Sequence, residues 1–262
     1  MLGSRGVGSR KCRASPNLPA CVRRVVSAIP RGEHMRRPET SGLLRRIEGP
    51  EAFRAAFGVS RETLDRLKVY AELLEKWQKT INLVAPSTVS EVWHRHMADS
   101  AQLLDLAPAG AMRWVDLGSG AGFPGLVLAI MVADRAGSRV ALVESDVRKC
   151  AFLSEIVRKT GISASLAVEI VTGRIENSAI QDRLGTPDVI SARALASLDK
   201  LFGLSQGLFG RKSIGLFAKG REVEAEIAEA RRAWEFEYEL MPSRTDQSGR
   251  VVVVRGLKAK SA

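Results

Sequence analysis

Cysteine and histidine are scarce in this chain, three of each in 262 residues. Cys12 and Cys21 fall in the first fifty positions and Cys150 in a helical pattern, with no metal-ligand spacing among them. Neither a disulfide framework nor a thiolate zinc site is expected, and the chain reads as reduced and cytoplasmic. His94 and His96 form a close pair, but no Cys or carboxylate cluster stands at ligand spacing beside them, so no metal is expected. Apolar runs never reach the roughly 18 residues a bilayer span requires. A signal-peptide core and internal repeats are also missing.

Acidic residues are in short supply as well: 29 Asp and Glu face 40 Lys and Arg, a formal charge of +11. The imbalance is local, because residues 1–49 hold eleven Lys and Arg against three Asp and Glu. That stretch scatters Arg, Ser, Gly and Pro without apolar period, so it is expected to stay disordered. A transit-like segment, an extended start ahead of Met35 and an RNA-tethering arm are all open readings of it.

With 45% hydrophobic residues, the rest can bury one sizeable α/β core plus an appendage. Residues 50–110 read as a helical lead subdomain, with helices predicted over Glu51 to Phe57, Ser60 to Lys79 and Val89 to Leu106. Ser60 is placed to cap the second, and Pro86 breaks the chain before the third. Over 111–258, strand-like runs at Arg113 to Leu117, Arg139 to Glu144, Leu166 to Thr172, Asp188 to Ala192 and Ser213 to Lys219 alternate with helical segments. This alternation predicts a Rossmann-like, mostly parallel, doubly wound sheet. Glu235 to Leu240 and Arg250 to Arg255 follow one another without a helix, as an antiparallel edge hairpin would. Trp77, Trp93 and Trp114 sit at helix or strand spacing and are expected in the core.

The most informative stretch is Val115-Asp116-Leu117-Gly118-Ser119-Gly120-Ala121-Gly122-Phe123-Pro124-Gly125, an apolar run ending in a carboxylate and then alternate glycines. Such glycines let the backbone turn after a strand and approach a ligand closely. The dinucleotide fingerprint is G-x-G-x-x-G with a diphosphate on the helix N-terminus; here the spacing is G-x-G-x-G. Asp116 ends one strand and Glu144 the next, where Glu144 is placed to accept from both hydroxyls of an adenosine ribose. Acids at both strand ends favour S-adenosylmethionine, whose amino group and sulfonium seek carboxylates and carbonyls. A nicotinamide or flavin nucleotide, and a turn that merely packs a helix on a sheet, stay open on these residues alone.

Further segments carry a resemblance over about Leu64 to Leu257. Lys76-Trp77-Gln78-Lys79-Thr80-Ile81-Asn82-Leu83, Arg95-His96-Met97-Ala98-Asp99-Ser100, the glycine stretch, Ser191-Ala192-Arg193-Ala194-Leu195-Ala196-Ser197-Leu198 and Phe217-Ala218-Lys219-Gly220 occur in that order. This ordered set resembles the glucose-inhibited-division B family. The resemblance implies a class I S-adenosylmethionine-dependent methyltransferase with a seven-stranded sheet, acting on N7 of a guanosine in small-subunit (16S) ribosomal RNA, alone or within the ribosomal subunit.

It further implies cofactor contacts from Gly118, Phe123, Ile175, Glu176 and Arg193, alongside Asp116, Gly120, Gly122 and Glu144. Arg193 and Lys219 would position the reactants, and Arg95, His96, Arg174, Lys219 and Arg250 would meet RNA. Guanine N7 has an in-plane lone pair and no proton to lose, so an in-line displacement needs no general base; alignment can supply roughly 7 to 11 kcal/mol. A monomer without metal or membrane partner is expected. The rivals are a noncatalytic RNA-binding protein on the same fold and a small-molecule methyltransferase.

Overall fold

The computed structural model describes residues 42–261. The expectations for the basic arm therefore lie outside the described residues, save at its last few positions. Helix α1 (Pro50–Phe57) starts on a proline and ends on Gly58 in the left-handed region. In α2 (Arg61–Gln78) the Ser60 side chain accepts from the Thr63 amide, as its position predicts. The α2 face carrying Leu64, Leu67, Tyr70, Ala71 and Leu74 is buried.

The predicted third helix is not a regular helix. It is a 3-10 segment at Pro86–Glu91, a π-helix at Val92–Ala98, one α-turn, α3 (Asp99–Ala101), and a 3-10 segment at Gln102–Leu106. Periodicity alone cannot anticipate this. His94, His96 and Asp99 each bond to distant segments, and these tertiary bonds compete with the regular i→i−4 ladder.

Beyond it come β1 (Arg113–Leu117), α4 (Gly125–Met131), β2 (Arg139–Glu144), α5 (Val147–Thr160), β3 (Ala167–Thr172), α6 (Ser178–Leu184), β4 (Val189–Arg193), α7 (Leu198–Ser205), β5 (Ile214–Lys219), α8 (Val223–Ala233), β6 (Trp234–Pro242) and β7 (Arg250–Ala259). The strands form a seven-stranded sheet in the order β3-β2-β1-β4-β5-β7-β6. All neighbours are parallel except β7, which runs antiparallel to both β5 and β6. The predicted doubly wound sheet and edge hairpin are thus both present. Helix α6, absent from the sequence-based reading, is short and capped by the Asn177 side chain on the Ala179 amide.

Strand alternation splits the core between the two sheet faces. Trp114, Val140 and Leu142 face α2, α4 and α5, together with Phe53, Leu67 and Leu74, so the lead helices and one sheet face share one apolar cluster. Val115, Leu117, Val143, Ile190 and Phe217 face α7 and α8. Trp114 is buried, and Trp77 and Trp93 pack against the same cluster. Order reverses between β1 and β4, and ligands of open α/β sheets sit at the carboxyl ends of strands flanking such a reversal.

Candidate functional site

At that reversal the chain leaves β1 through Gly118, Ser119 and Gly120. Gly118 has φ +62°, a left-handed backbone that favours glycine, and a Cβ there would lie 2.5 Å from Leu195 Cδ1, which would have to move aside. Gly122 has φ +93°, and a Cβ on it would meet the Tyr70 hydroxyl at 2.6 Å. Tyr70 donates to the Ala121 carbonyl at 2.5 Å and stacks on Phe123 with ring centroids 5.2 Å apart. Helix α2 is bolted to the glycine loop by this one side chain.

A cleft of about 410 Å³ opens over the loop. Of the residues singled out from the sequence for the cofactor, Gly118, Gly120, Phe123, Glu144, Ile175, Glu176 and Arg193 line it, and Arg174 joins them. Asp116 and Gly122 do not. Alternation along β1 puts Asp116 on the same sheet face as Trp114, under α4, where it is 1% exposed. Its Oδ1 accepts from Ser191 at 2.6 Å, while Oδ2 has no hydrogen-bond partner among the described residues. Burial pushes its carboxyl up to about 6, against the opposing pull of the Ser191 hydrogen bond.

Glu144 ends β2 at the cleft edge. Its Oε2 accepts from the Gly120 amide at 2.8 Å and its Oε1 from the Asp146 amide at 2.7 Å. Each oxygen keeps a further lone pair. Leu83 and Val84 also line the cleft, and sequence reasoning missed what holds them. Gln78 Oε1 accepts from both their amides at 3.0 Å, and its Nε2 donates to the Val84 carbonyl at 2.9 Å. The signal was present in Lys76-Trp77-Gln78, quoted only as a motif.

Arg193, the last residue of β4, ties the π-helix down. Its Nη1 donates to the Arg95 carbonyl and to Asp99 Oδ2, both at 3.0 Å, and its Nη2 to His96 Nδ1 at 2.7 Å. The guanidinium also lies 5.2 Å from the Phe123 ring centroid, and His96 stacks on the same ring at 4.9 Å. Burial, followed by the charges of Arg193 and Arg95, drives the His96 imidazole down to about 3.

A second cleft of about 580 Å³ lies beside the first, lined by Asp99, Lys219, Glu226, Asp246 and Arg250 among others. Lys219 is inward and committed: its Nζ donates to the Ala196 carbonyl at 2.5 Å and to Glu226 at 2.8 Å. Arg250 donates to the Gln247 and Gly249 carbonyls, and Arg95 pairs with Asp246 at 3.3 Å on the surface. The structure therefore brings Arg193, Lys219 and Arg250 to one cleft, with Arg95 at its edge and Arg174 in the neighbouring one. Among the described residues no three metal-ligating side chains converge, and no helix is long and apolar enough to cross a membrane.

The cofactor-cleft lining fits an adenosyl group. The volume falls within the range of small-molecule sites, Ile175 and Phe123 give apolar walls, and a buried carboxylate stands at the strand end.

Comparison with known proteins gives an independent line. Residues 63–250 match the family described as rRNA small subunit methyltransferase G. A protein of Parvibaculum lavamentivorans named ribosomal RNA small subunit methyltransferase G is 53% identical over 207 residues, covering 79% of this chain and 89% of its own. A protein of the same name in Paramagnetospirillum magneticum is 50% identical, covering 79% and 95%. A solved Corynebacterium glutamicum protein superposes with a TM-score of 0.50 at 17% identity, covering 73% of this chain and 91% of that one, a likeness of fold alone.

Proposed function

The chain belongs to the rRNA small subunit methyltransferase G family, and from that premise we propose that it transfers a methyl group from S-adenosylmethionine to N7 of a guanosine in small-subunit ribosomal RNA. The observation that carries the reading is the cleft at the carboxyl ends of β1, β2 and β4, with the Glu144 carboxylate at its edge. When bound, the cofactor supplies an electrophilic methyl on a sulfonium. Glu144 holds the ribose hydroxyls through its remaining lone pairs, and Phe123 and Ile175 exclude water from the apolar part. Glu176 meets the adenine amino group, and Gly118 and Gly120 let backbone come close. Asp116 acts from beneath, by fixing β1 against β4 through Ser191.

No side chain has to remove a proton, because guanine N7 carries a lone pair and none to lose. Arg193 and Lys219 are positioning residues. Arg193 fastens the π-helix over β4, and Lys219 fastens the Ala196 carbonyl and Glu226. Arg95, Arg174 and Arg250 meet RNA phosphates, each neutralised phosphate steepening the salt dependence of binding. His96 contributes from behind Phe123 and Arg193, as a neutral acceptor. The protein acts as a monomer in the cytoplasm, on RNA or on the subunit.

The test is transfer of labelled methyl to small-subunit RNA, or to subunits from cells lacking the enzyme, followed by nucleoside analysis. Labelled 7-methylguanosine is expected. Label in another nucleoside would replace the acceptor, and none at all would return the chain to the noncatalytic alternative.

A further inference from the structure

The sheet face that carries Val115, Val143 and Ile190 is not covered along its whole length. In β3, the outermost strand, Val171 is buried on that face, but Glu169, two residues earlier, is half-buried and Ala167, two earlier again, is exposed. Helix α6, which packs on this side through Leu184, has only seven residues. Between its last turn and the amino ends of β1, β2 and β3 lies a cleft of about 210 Å³. Ala141 and Ala167 keep its floor low, and its rim carries Arg113, Arg139 and Arg183 against one carboxylate, Glu169. Glu169 is taken by Arg183. Arg113 commits one Nη2 donor to the Leu184 carbonyl at 3.2 Å, and nearby Asp188 turns its Oδ2 to the Met112 and Arg113 amides. The Arg139 guanidinium has no hydrogen-bond or ion-pair partner among the described residues. Two cations thus line the cleft without a carboxylate paired to either side chain.

We propose that this cleft binds one nucleotide from a single-stranded stretch of the substrate RNA, remote from the guanosine that is methylated; the inference rests on the RNA substrate proposed above. Guanidinium forks match phosphate oxygens in bidentate geometry, and Arg113 and Arg139 offer two of them at one rim. A base lies on the floor, where alanines leave the sheet flat. The volume is below the 300–1,000 Å³ of a site for a free small molecule, so the occupant is a unit of a longer chain held elsewhere, which gains from a small site through effective concentration. That second hold is on the page. Arg174 follows β3 at its carboxyl end and lines the cofactor cleft, whereas Arg139 pairs in register with Ala167 at the amino end. Six residues of strand separate them, roughly 20 Å. RNA engaged at the carboxyl ends therefore reaches this cleft by passing along the edge strand.

Arg139→Glu and Ala167→Phe test the site against wild type and against Arg232→Glu, which reverses an exposed charge on α8 outside the cleft. Both cleft positions are exposed, so the fold by circular dichroism and S-adenosylmethionine affinity by calorimetry are expected to stay as in wild type. Affinity for small-subunit RNA, free and in subunits, is measured over a salt series, with kcat and KM for transfer and photo-crosslinks from RNA carrying 4-thiouridine. Arg139→Glu is expected to weaken RNA binding about tenfold, to flatten the salt slope by about 0.7, the share of one single-strand phosphate, and to raise KM while kcat holds. Ala167→Phe is expected to weaken binding about tenfold too, by filling the floor with no charge removed. Wild-type crosslinks are expected in residues 139–141 and 167–169 and are expected to vanish in Ala167→Phe. RNA binding by Arg139→Glu no weaker than by Arg232→Glu, unaltered binding by Ala167→Phe, or wild-type crosslinks confined to the cofactor cleft would each overturn the proposal. A wild-type chain that binds and crosslinks RNA here but transfers no methyl would remove the activity proposed above and leave this site standing.

Discussion

Arg193 Nη2 stands 2.7 Å from Nδ1 of His96, and because a guanidinium only donates, Nδ1 is the proton-free, accepting nitrogen of that ring. Nε2 then carries the proton and donates to Thr88 Oγ1 at 2.8 Å, while the Thr88 hydroxyl donates onward to the Ala85 carbonyl. A neutral imidazole is thus built into the junction between the π-helix and β4.

His96 should accordingly remain the Nε2–H tautomer from pH 8 down to pH 5, read by long-range nitrogen–proton NMR of the ring. Its folded value of about 3 lies below the unfolded 6.5, so the unfolded chain takes up the proton first. The stability this group contributes is complete above about 6.5 and is lost as pH falls toward 3. An imidazole titrating near 6.5 in the folded protein would contradict the Arg193 hydrogen bond.

Glu144→Gln should weaken S-adenosylmethionine binding by at least about tenfold, close to 1.4 kcal/mol. The wild-type carboxylate accepts one amide on each oxygen. A carboxamide keeps one acceptor and turns its NH2 toward the Gly120 or the Asp146 amide, two donors face to face. Calorimetry of cofactor binding decides it, with circular dichroism to establish the fold. Unchanged affinity would take the ribose away from Glu144.

Much of this was legible in the residues, and the part that was not has a common physical cause. Ser60, the glycine stretch and the five strand runs that alternate with helices announce themselves through local chemistry: a hydroxyl cap, glycines free to take positive φ and short apolar runs. Asp116 misled because a carboxylate at a strand end reads the same whichever face it takes, and here alternation sends it under α4 rather than into the cleft. The π-helix at Val92–Ala98 depends on Arg193, nearly a hundred residues away, so the apolar spacing from Val89 to Leu106 reads as ordinary helix. The second cleft is likewise assembled from α3, β5 and the β6–β7 loop, and no short window of sequence holds it.

Asp116→Asn should stabilise the protein relative to wild type as pH rises. The folded carboxyl titrates at about 6 against 3.8 when unperturbed, so between those values the folded state holds a proton that the unfolded chain has released. The cost of burying the anion is absent below about 4 and complete above about 6. Asparagine still accepts from Ser191 and never ionises. The stability difference, variant minus wild type, should grow by up to about 3 kcal/mol from pH 4 to pH 7 in urea titrations. A difference that stays flat would mean Asp116 is ionised at little cost, with its Oδ2 satisfied.

Tyr70→Phe tests whether the helical lead supports the cofactor cleft or only shares its core. The phenol is fully buried, burial holds its pKa well above 10, and its proton is committed to the Ala121 carbonyl, which belongs to the cleft lining. Removing the hydroxyl leaves that carbonyl unpaired in an apolar setting, a loss of about 1–3 kcal/mol. The ring stays, so stacking on Phe123 and packing against Phe152 survive. A purely structural role predicts a lower melting temperature and an unchanged cofactor dissociation constant. The geometry predicts both a lower melting temperature and a weaker cofactor, because Ser119, Gly120, Ala121 and Phe123 of the freed segment line the cleft. Amide exchange at Gly120 and Gly122 should rise in the variant well before exchange in β4 and β5 does.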